Sequence, residues 1–166
     1  MMTHNETNLR ASDIVFLAVA DLQRSGFESV TIAQALEHIE KMNFGDSKDI
    51  GTLRTHLSSH SLANKPARPN KTCMLFALGG GRVRLLNPND AIDPSKNPRE
   101  KFPQLDRIPP EFRELVNWAI ERFEAAGGQT KKVGLEALLN LEGKFRYTSE
   151  GQSVADYVRE LRSDWE

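Results

Sequence analysis

The chain has 166 residues, of which 39% are hydrophobic and 27% charged, with a formal net charge of −1. This composition excludes a disordered polymer, because disordered chains are less apolar and less balanced in charge. There is no apolar run long enough to cross a bilayer, and the N-terminal "MMTHNETNLR" lacks the apolar segment of a signal peptide. The lone Cys73 excludes an internal disulfide. We therefore expect a cytoplasmic protein with one domain, or one small domain and an appendage.

The charges are segregated along the chain. Six basic residues and no acidic residue lie between Ile50 and Asn89, whereas the remainder holds 16 basic and 23 acidic residues, a balance of −7. A local cationic surface on an otherwise acidic body is suited to binding a polyanion.

Two helices are predicted in the first part of the chain. Apolar residues at helical spacing predict the first helix from about Ser12 to Ser25, where Gly26 can adopt the left-handed conformation that ends a helix. Thr31, followed three residues later by Gln34, has the capping-box pattern that starts a second helix.

A third helix is predicted from about Ser47 to Leu62. Ile50, Leu53 and Leu57 fall in one narrow sector of the helical wheel, so we expect that side to face the core. The opposite face carries only small or uncharged residues, namely Gly51, Thr52, Thr55, Ser58 and Ser59. Such a face lets a helix approach a phosphate backbone closely, since hydroxyls donate to phosphate oxygens. Arg54, at the edge of the apolar sector, could reach either a guanine edge or a phosphate.

A β-hairpin is predicted next. Two apolar runs, 74–78 and 83–86, flank three glycines, which is typical of two strands joined by a tight turn. Arg82 and Arg84 alternate on the second strand, share one face and are candidate phosphate contacts. The loop before the hairpin adds three more cations to this surface, Lys65, Arg68 and Lys71.

The composition changes after the hairpin. Six of the eight prolines lie between Pro88 and Pro110, which favours an extended linker. We therefore predict a domain over 1–88, a linker over 89–108 and a helical region over 109–166. Within this last region a helix begins at the paired prolines and is expected to stop at the glycines 127–128. At the end of the chain, Tyr157, Leu161 and Trp165 lie on one stripe that either packs internally or binds a partner.

Helix, helix, helix, hairpin is the order of a winged helix-turn-helix. We thus expect a mainly α protein, with a winged helix-turn-helix of three helices plus a β-hairpin and a small C-terminal helical region. The predicted function is sequence-specific or structure-guided binding of double-stranded DNA, as a transcriptional regulator or a DNA-targeting accessory protein. The third helix would read the major groove, and the protein could form a homodimer.

The alternative is a protein-interaction module that binds a toxin or nuclease partner through Tyr157, Leu161 and Trp165. The predicted DNA contacts are Thr52, Arg54, Thr55, Ser58, Ser59, Lys65, Arg68, Lys71, Arg82 and Arg84.

Two stretches resemble known families. "IGTLRTHLSSHSLANKP" with "LFALGGGRVRLLNP" resembles winged-helix modules of bacteria and archaea that occur alone or attached to restriction-type nucleases and other DNA-modifying proteins. This resemblance covers about the first 90 residues and implies DNA binding. "LLNLEGKFRY" with "SVADYVRELRSDWE" is more loosely similar to the tails of bacterial antitoxins, which wrap around a toxin such as a PIN-domain ribonuclease.

No catalytic residue, metal site or cofactor is expected. His56 and His60 have the i, i+4 spacing of metal ligands, but two ligands at helical spacing are a weak signal. The glycine-rich "GGGRVR" lacks the lysine-serine/threonine ending of a phosphate-binding P-loop, and the candidate carboxylates lie in the predicted linker or on surface segments. We therefore expect a binding protein and not an enzyme.

Overall fold

The computed structural model describes residues 9–44, 48–66, 72–96 and 100–145, with side chains described up to Gly127. The chain divides into two compact units, Met1–Gly127 and Gly128–Glu166. The described elements, in chain order, are α1 (Ala11–Arg24), β1 (Val30–Thr31), α2 (Ile32–Met42), α3 (Ile50–Thr55) continued by a π-helical turn (His56–His60), β2 (Leu75–Gly79), β3 (Arg82–Leu85) and α4 (Pro110–Phe145). The expectation of a mainly helical chain is therefore confirmed. None of the helices in the described part is long and apolar enough to cross a membrane.

Helix α1 forms the centre of the first unit. Ten consecutive residues, Ala11 to Ala20, are buried, so this helix is covered on all sides. The burial includes Asp13, whose carboxylate accepts from the Arg10 guanidinium at 3.1 Å. The predicted helix is confirmed to within one residue at each end. As predicted, Gly26 has a positive φ of 109° just after the helix.

Helix α2 begins with the predicted capping box. The Gln34 backbone N–H donates to Thr31 Oγ1 at 3.1 Å, and Gln34 Oε1 accepts from the Thr31 backbone N–H at 2.9 Å. Two backbone donors at the start of the helix are thereby satisfied. Ala35 and Ile39 are the buried residues that attach α2 to the core.

The sheet has three antiparallel strands in the order β1, β3, β2. The predicted hairpin is confirmed as β2 and β3, joined through glycines at 79 to 81 that all have positive φ. A register shift between Ala77 and Gly79 places Leu78 in a bulge, where its side chain is exposed. Strand β1 was not predicted. It consists of two residues, paired as Val30 with Val83 and Thr31 with Arg82.

The outer edge of β2 is covered at Leu75 by the backbone of residues 61–63 and at Ala77 by the side chain of Asn64. Asn64 Nδ2 donates to the Ala77 carbonyl at 2.9 Å, and Asn64 Oδ1 accepts from the Ala77 N–H at 3.0 Å. The amide of Asn64 therefore makes the two hydrogen bonds that a neighbouring strand would make at this position.

The proline-rich segment belongs to the first unit, packs within it and does not form the predicted extended linker. The Asp93 N–H donates to the Ala63 carbonyl at 2.8 Å, the Cys73 N–H donates to the Glu100 carbonyl at 3.0 Å, and Ile108 is buried in the main core. These contacts correct the predicted boundary at residue 88. The few apolar side chains of this segment, such as Ile108, gain stability by packing because a core surface is available to them.

Helix α4 contributes to the same core as α1 through Leu115, Val116 and Ala119. The predicted stop at the glycines 127–128 is wrong, because α4 extends to Phe145. Glycine favours a helix end but does not impose one, since it can also adopt helical dihedral angles. The division between units falls between Gly127 and Gly128. The predicted partner residues Tyr157, Leu161 and Trp165 lie outside the described residues.

Candidate nucleic-acid interface

The outer face of α3 and the π-helical turn is exposed, as predicted. Thr52, Arg54, Thr55 and Ser58 are exposed, and Ser59 is half-buried. Leu53 and Leu57 are buried in the core and fix the orientation of the helix. This face therefore presents small polar side chains and one arginine.

Ile50 is not on the buried side of α3. Its side chain is 53% exposed, so the prediction that it faces the core is wrong. Ile50 is the first residue of the helix, and Leu53 and Leu57 lie one and two turns further along. Helical periodicity gives the sector in which a side chain lies but not whether the core extends as far as that end of the helix.

The beginning of α3 combines a capping carboxylate with a glycine. Asp49 Oδ2 accepts from the Thr52 backbone N–H at 3.2 Å. A Cβ added at Gly51 would lie 2.8 Å from the same oxygen, so glycine leaves room for the cap. Asp49 immediately precedes the block free of acidic residues, and its carboxylate has a structural role.

The hydroxyls of this face donate to their own helix. Thr55 Oγ1 donates to the Gly51 carbonyl at 2.9 Å, and Ser58 and Ser59 donate to the Thr55 carbonyl at 3.3 and 3.1 Å. Hydroxyls that bond to the preceding turn compete with the backbone ladder and bend helices. A phosphate contact from these residues therefore requires the hydroxyl to rotate away from its carbonyl.

The π-helical turn places a histidine inside the protein. His56 is buried, and its Nδ1 is hydrogen-bonded to Ser61 Oγ at 2.9 Å. Its ring meets that of His60 edge to face, with centroids 5.2 Å apart. Burial, followed by the neighbouring charges of His60 and Lys96, lowers the pKa of His56 to about 4. The imidazole is consequently neutral at pH 7.

Lys96, which was not predicted to have a role, holds the end of this turn. Its ammonium donates to the carbonyls of His60, Thr72 and Ser59 at 2.7, 3.4 and 3.5 Å. A cation at a helix C-terminus satisfies carbonyls that have no partner within the helix. Burial lowers the pKa of Lys96. A single lysine in a proline-rich stretch gives no sequence signal for this position.

Three of the predicted cations have no ionic partner in the described part of the chain. Arg54, Lys65 and Arg82 are exposed, and none forms a salt bridge with a described carboxylate. Arg82 is oriented by a neutral group, since its guanidinium donates to Ser29 Oγ at 2.8 and 3.0 Å. The positive charges of these three residues are therefore not neutralised by any carboxylate of the described residues.

Arg84 is different. Its two terminal nitrogens each donate to a carboxylate oxygen of Asp90 at 2.6 Å, and the side chains of the pair are only 16% and 11% exposed. The guanidinium also lies 4.7 Å from the centroid of the Phe76 ring. Arg84 is thus already neutralised, contrary to the expectation that both hairpin arginines offer free charge. Asp90 is the first residue after the block free of acidic residues. The absence of acidic residues within that block therefore did not leave Arg84 without a carboxylate partner. Arg68 and Lys71 lie outside the described residues.

A groove joins the π-helical turn to the hairpin. It has a volume of about 490 Å³, and Ser58, Lys65 and Arg82 line it from three separate segments of the chain. Its floor is formed partly by Leu57 and Val83, and none of the described residues that line it is acidic. The groove brings together predicted contacts that are up to 24 residues apart in the sequence.

His56 and His60 lie close together, but no group of three or more histidine, cysteine, aspartate or glutamate side chains within the described ranges could hold a metal ion. No protein-family model, curated protein or solved structure matches this chain.

Proposed function

We propose that this chain binds double-stranded DNA through α3, the π-helical turn and the hairpin. The observation that carries the proposal is the groove lined by Ser58, Lys65 and Arg82, in which none of the described lining residues is acidic. A concave surface with positive charges and no negative ones concentrates the electrostatic potential that attracts a phosphate backbone.

We further infer that the arrangement is a winged helix-turn-helix. The supporting features are the succession of α2 and α3 and a hairpin whose central strand, β3, is joined to the helices by β1. In this arrangement α3 enters the major groove of DNA and the hairpin lies against the backbone. The exposed small residues of α3 fit this role, because they allow a close approach to the duplex.

The available cations predict how binding responds to salt. Lys65 and Arg82 in the groove and Arg54 on α3 are the predicted cations that form no salt bridge with a described carboxylate. Each phosphate neutralised on duplex DNA contributes about −0.9 to the slope of log K against log salt concentration. Three contacts therefore give a slope of about −2.7, so a fourfold rise in salt weakens binding about 40-fold.

The test is the affinity of the full chain for a random duplex, measured by fluorescence anisotropy at several salt concentrations. Replacing Arg54, Lys65 and Arg82 together by alanine is expected to remove most of the slope, because the counterions are no longer displaced. Arg107→Ala is the matched control, since Arg107 is exposed and does not line the groove. Circular dichroism verifies that the variants are folded.

Two outcomes contradict the proposal. The first is weak binding that does not change with salt, which favours the alternative of a protein-interaction module. The second is a slope that stays the same in the triple variant, which places the DNA contacts elsewhere on the molecule.

A further inference from the structure

The two arginines of β3 are held by partners of different charge. Arg84 donates to the carboxylate of Asp90, which neutralises it. Arg82 donates instead to the hydroxyl of Ser29, from Nε at 3.0 Å and from Nη2 at 2.8 Å. The Ser29 carbonyl adds a longer contact to Nη2 at 3.3 Å. Because a hydroxyl is an uncharged acceptor, it fixes the direction of the guanidinium and leaves its positive charge in place.

The segment that carries Ser29 is itself attached to β3. Gln23, near the end of α1, donates from Nε2 to the Glu28 carbonyl at 2.7 Å, and its Oε1 accepts from the Leu85 N–H at 2.7 Å. Strand β1 begins directly after Ser29 and pairs with β3. Ser29 therefore lies between two points of attachment to β3, which give its hydroxyl a defined position relative to Arg82.

The contacts with Ser29 use one side of the Arg82 guanidinium. Nε and Nη2 donate on that side, whereas Nη1 donates to none of the described residues. Arg82 is exposed and lines the groove together with Lys65. The N–H groups of Nη1 can therefore donate to a phosphate oxygen while the Ser29 contacts remain formed.

Arg82 differs in this respect from the other two cations of the proposed interface. Arg54 and Lys65 are exposed, and neither side chain is hydrogen-bonded within the part of the chain that the structure describes. A long side chain that is free in solution loses rotamer freedom when it binds a phosphate, and this loss weakens binding. For Arg82 much of that loss has already occurred on folding.

We propose that Ser29 is a positioning residue for DNA binding, which holds the Arg82 guanidinium ready for a backbone phosphate without neutralising it. Both properties of the hydroxyl are required. Without its hydrogen bonds Arg82 is free to rotate, and with a carboxylate in its place Arg82 becomes an ion pair like that of Arg84 with Asp90. This inference rests on the proposed function and adds to the same interface a residue that acts through Arg82.

The experiment measures the affinity of the full chain for a random duplex by fluorescence anisotropy at several salt concentrations. Ser29→Ala should weaken binding about fivefold, because Arg82 is no longer held, and should leave the salt slope unchanged, because its charge remains. In an Arg82→Ala background the same substitution should have no effect. Ser29→Thr keeps the hydroxyl and should bind as the wild type does. Ser25→Ala is the matched control, since Ser25 lies in the same exposed segment and donates to the Asp21 carbonyl.

A charged substitution tests the geometry independently. Ser29→Asp places a carboxylate beside Arg82 and should reduce the magnitude of the salt slope by about 0.9, as Arg82→Ala does, because one phosphate contact is lost. Ser25→Asp changes the net charge equally without facing Arg82 and should change the slope less. Circular dichroism verifies that each variant is folded.

The outcomes separate this inference from the proposed function. Salt-dependent binding by the wild type that Ser29→Ala leaves unchanged overturns the role of Ser29 and leaves DNA binding intact. A loss that persists in the Arg82→Ala background, or equal slopes in Ser29→Asp and Ser25→Asp, also overturns it, because Ser29 would then act otherwise than through Arg82. Absence of duplex binding by the wild type overturns both. The inference is supported when the Ser29→Ala loss disappears in Arg82→Ala and is absent in Ser29→Thr.

Discussion

Helices α1 and α3 have different relations to the rest of the protein. Every residue of α1 from Ala11 to Ala20 is buried, whereas in α3 only Leu53 is buried. The following π-helical turn adds only His56 and Leu57 to the buried set. The residues of α1 from Ala11 to Ala20 are therefore constrained by packing on all sides. Most side chains of α3 face solvent and are not constrained by packing against the core.

Because of this difference in burial, we expect α1 to determine the stability of the fold and the outer face of α3 to determine binding. Substitutions in α1 should affect folding, and substitutions on the outer face of α3 should affect binding without affecting folding. The π-helical turn lies between the two cases, since it carries both the buried His56 and the exposed Ser58. Three substitutions test how sharply the division holds.

The largest effect is expected at Phe16 in α1. Its ring is 1% exposed and contacts Phe102 edge to face, with centroids 6.3 Å apart. Phe16→Ala should lower the free energy of unfolding by about 4 kcal/mol, because it removes buried apolar surface and leaves a cavity. Urea denaturation measures the change. Phe27→Ala is the control, since Phe27 is 44% exposed and should lose much less. Equal losses at the two sites would contradict the distinction between buried and exposed positions.

An intermediate effect is expected from the titration of His56. Its pKa is lowered from 6.5 to about 4 by burial, so the unfolded chain binds this proton more readily than the folded chain. With His56 neutral, the free energy of unfolding has its full value above pH 6.5. It decreases as the pH falls towards 4, by up to about 3 kcal/mol, because the folded protein resists protonation of His56. Urea denaturation across this range, compared between the wild type and His56→Gln, isolates the contribution. The same pH dependence in both proteins would show that His56 titrates normally.

The smallest effect on stability is expected at Ser58. Its hydroxyl is exposed and donates to the Thr55 carbonyl at 3.3 Å, so Ser58→Ala should change the free energy of unfolding by less than about 0.5 kcal/mol. If the hydroxyl rotates to a phosphate, the affinity for duplex DNA should fall about threefold. Ser25→Ala is a close control, because Ser25 is exposed and also donates to a backbone carbonyl of the preceding turn, that of Asp21. A large loss of stability at Ser58, or equal effects on binding at both serines, would contradict this assignment.

Local sequence patterns predicted the features that depend on neighbouring residues. The bounds of α1, the capping box of Thr31 and Gln34 and the glycine turn of the hairpin were all predictable, because each depends on residues within one or two turns. The exposure of Thr52, Arg54, Thr55 and Ser58 was predicted from the helical wheel in the same way.

Features that depend on distant contacts were missed. Strand β1 exists because Val30 and Thr31 pair with residues more than 50 positions later, and two residues carry no strand periodicity. The role of Lys96 depends on carbonyls more than 20 residues away. The neutralisation of Arg84 required a carboxylate just beyond the block free of acidic residues. In each case the decisive partner is brought close only by folding.

The side chain of Asn64 has a consequence for how the hairpin behaves in a crowded solution. With both polar backbone groups of Ala77 already bonded to this amide, the outer margin of β2 offers no template there for a strand of a second molecule. A glycine-rich hairpin can therefore remain accessible at the surface without recruiting other chains into growing β aggregates. The Asn64 amide, together with the backbone of residues 61–63 at Leu75, gives the hairpin protection that would otherwise require an additional full strand.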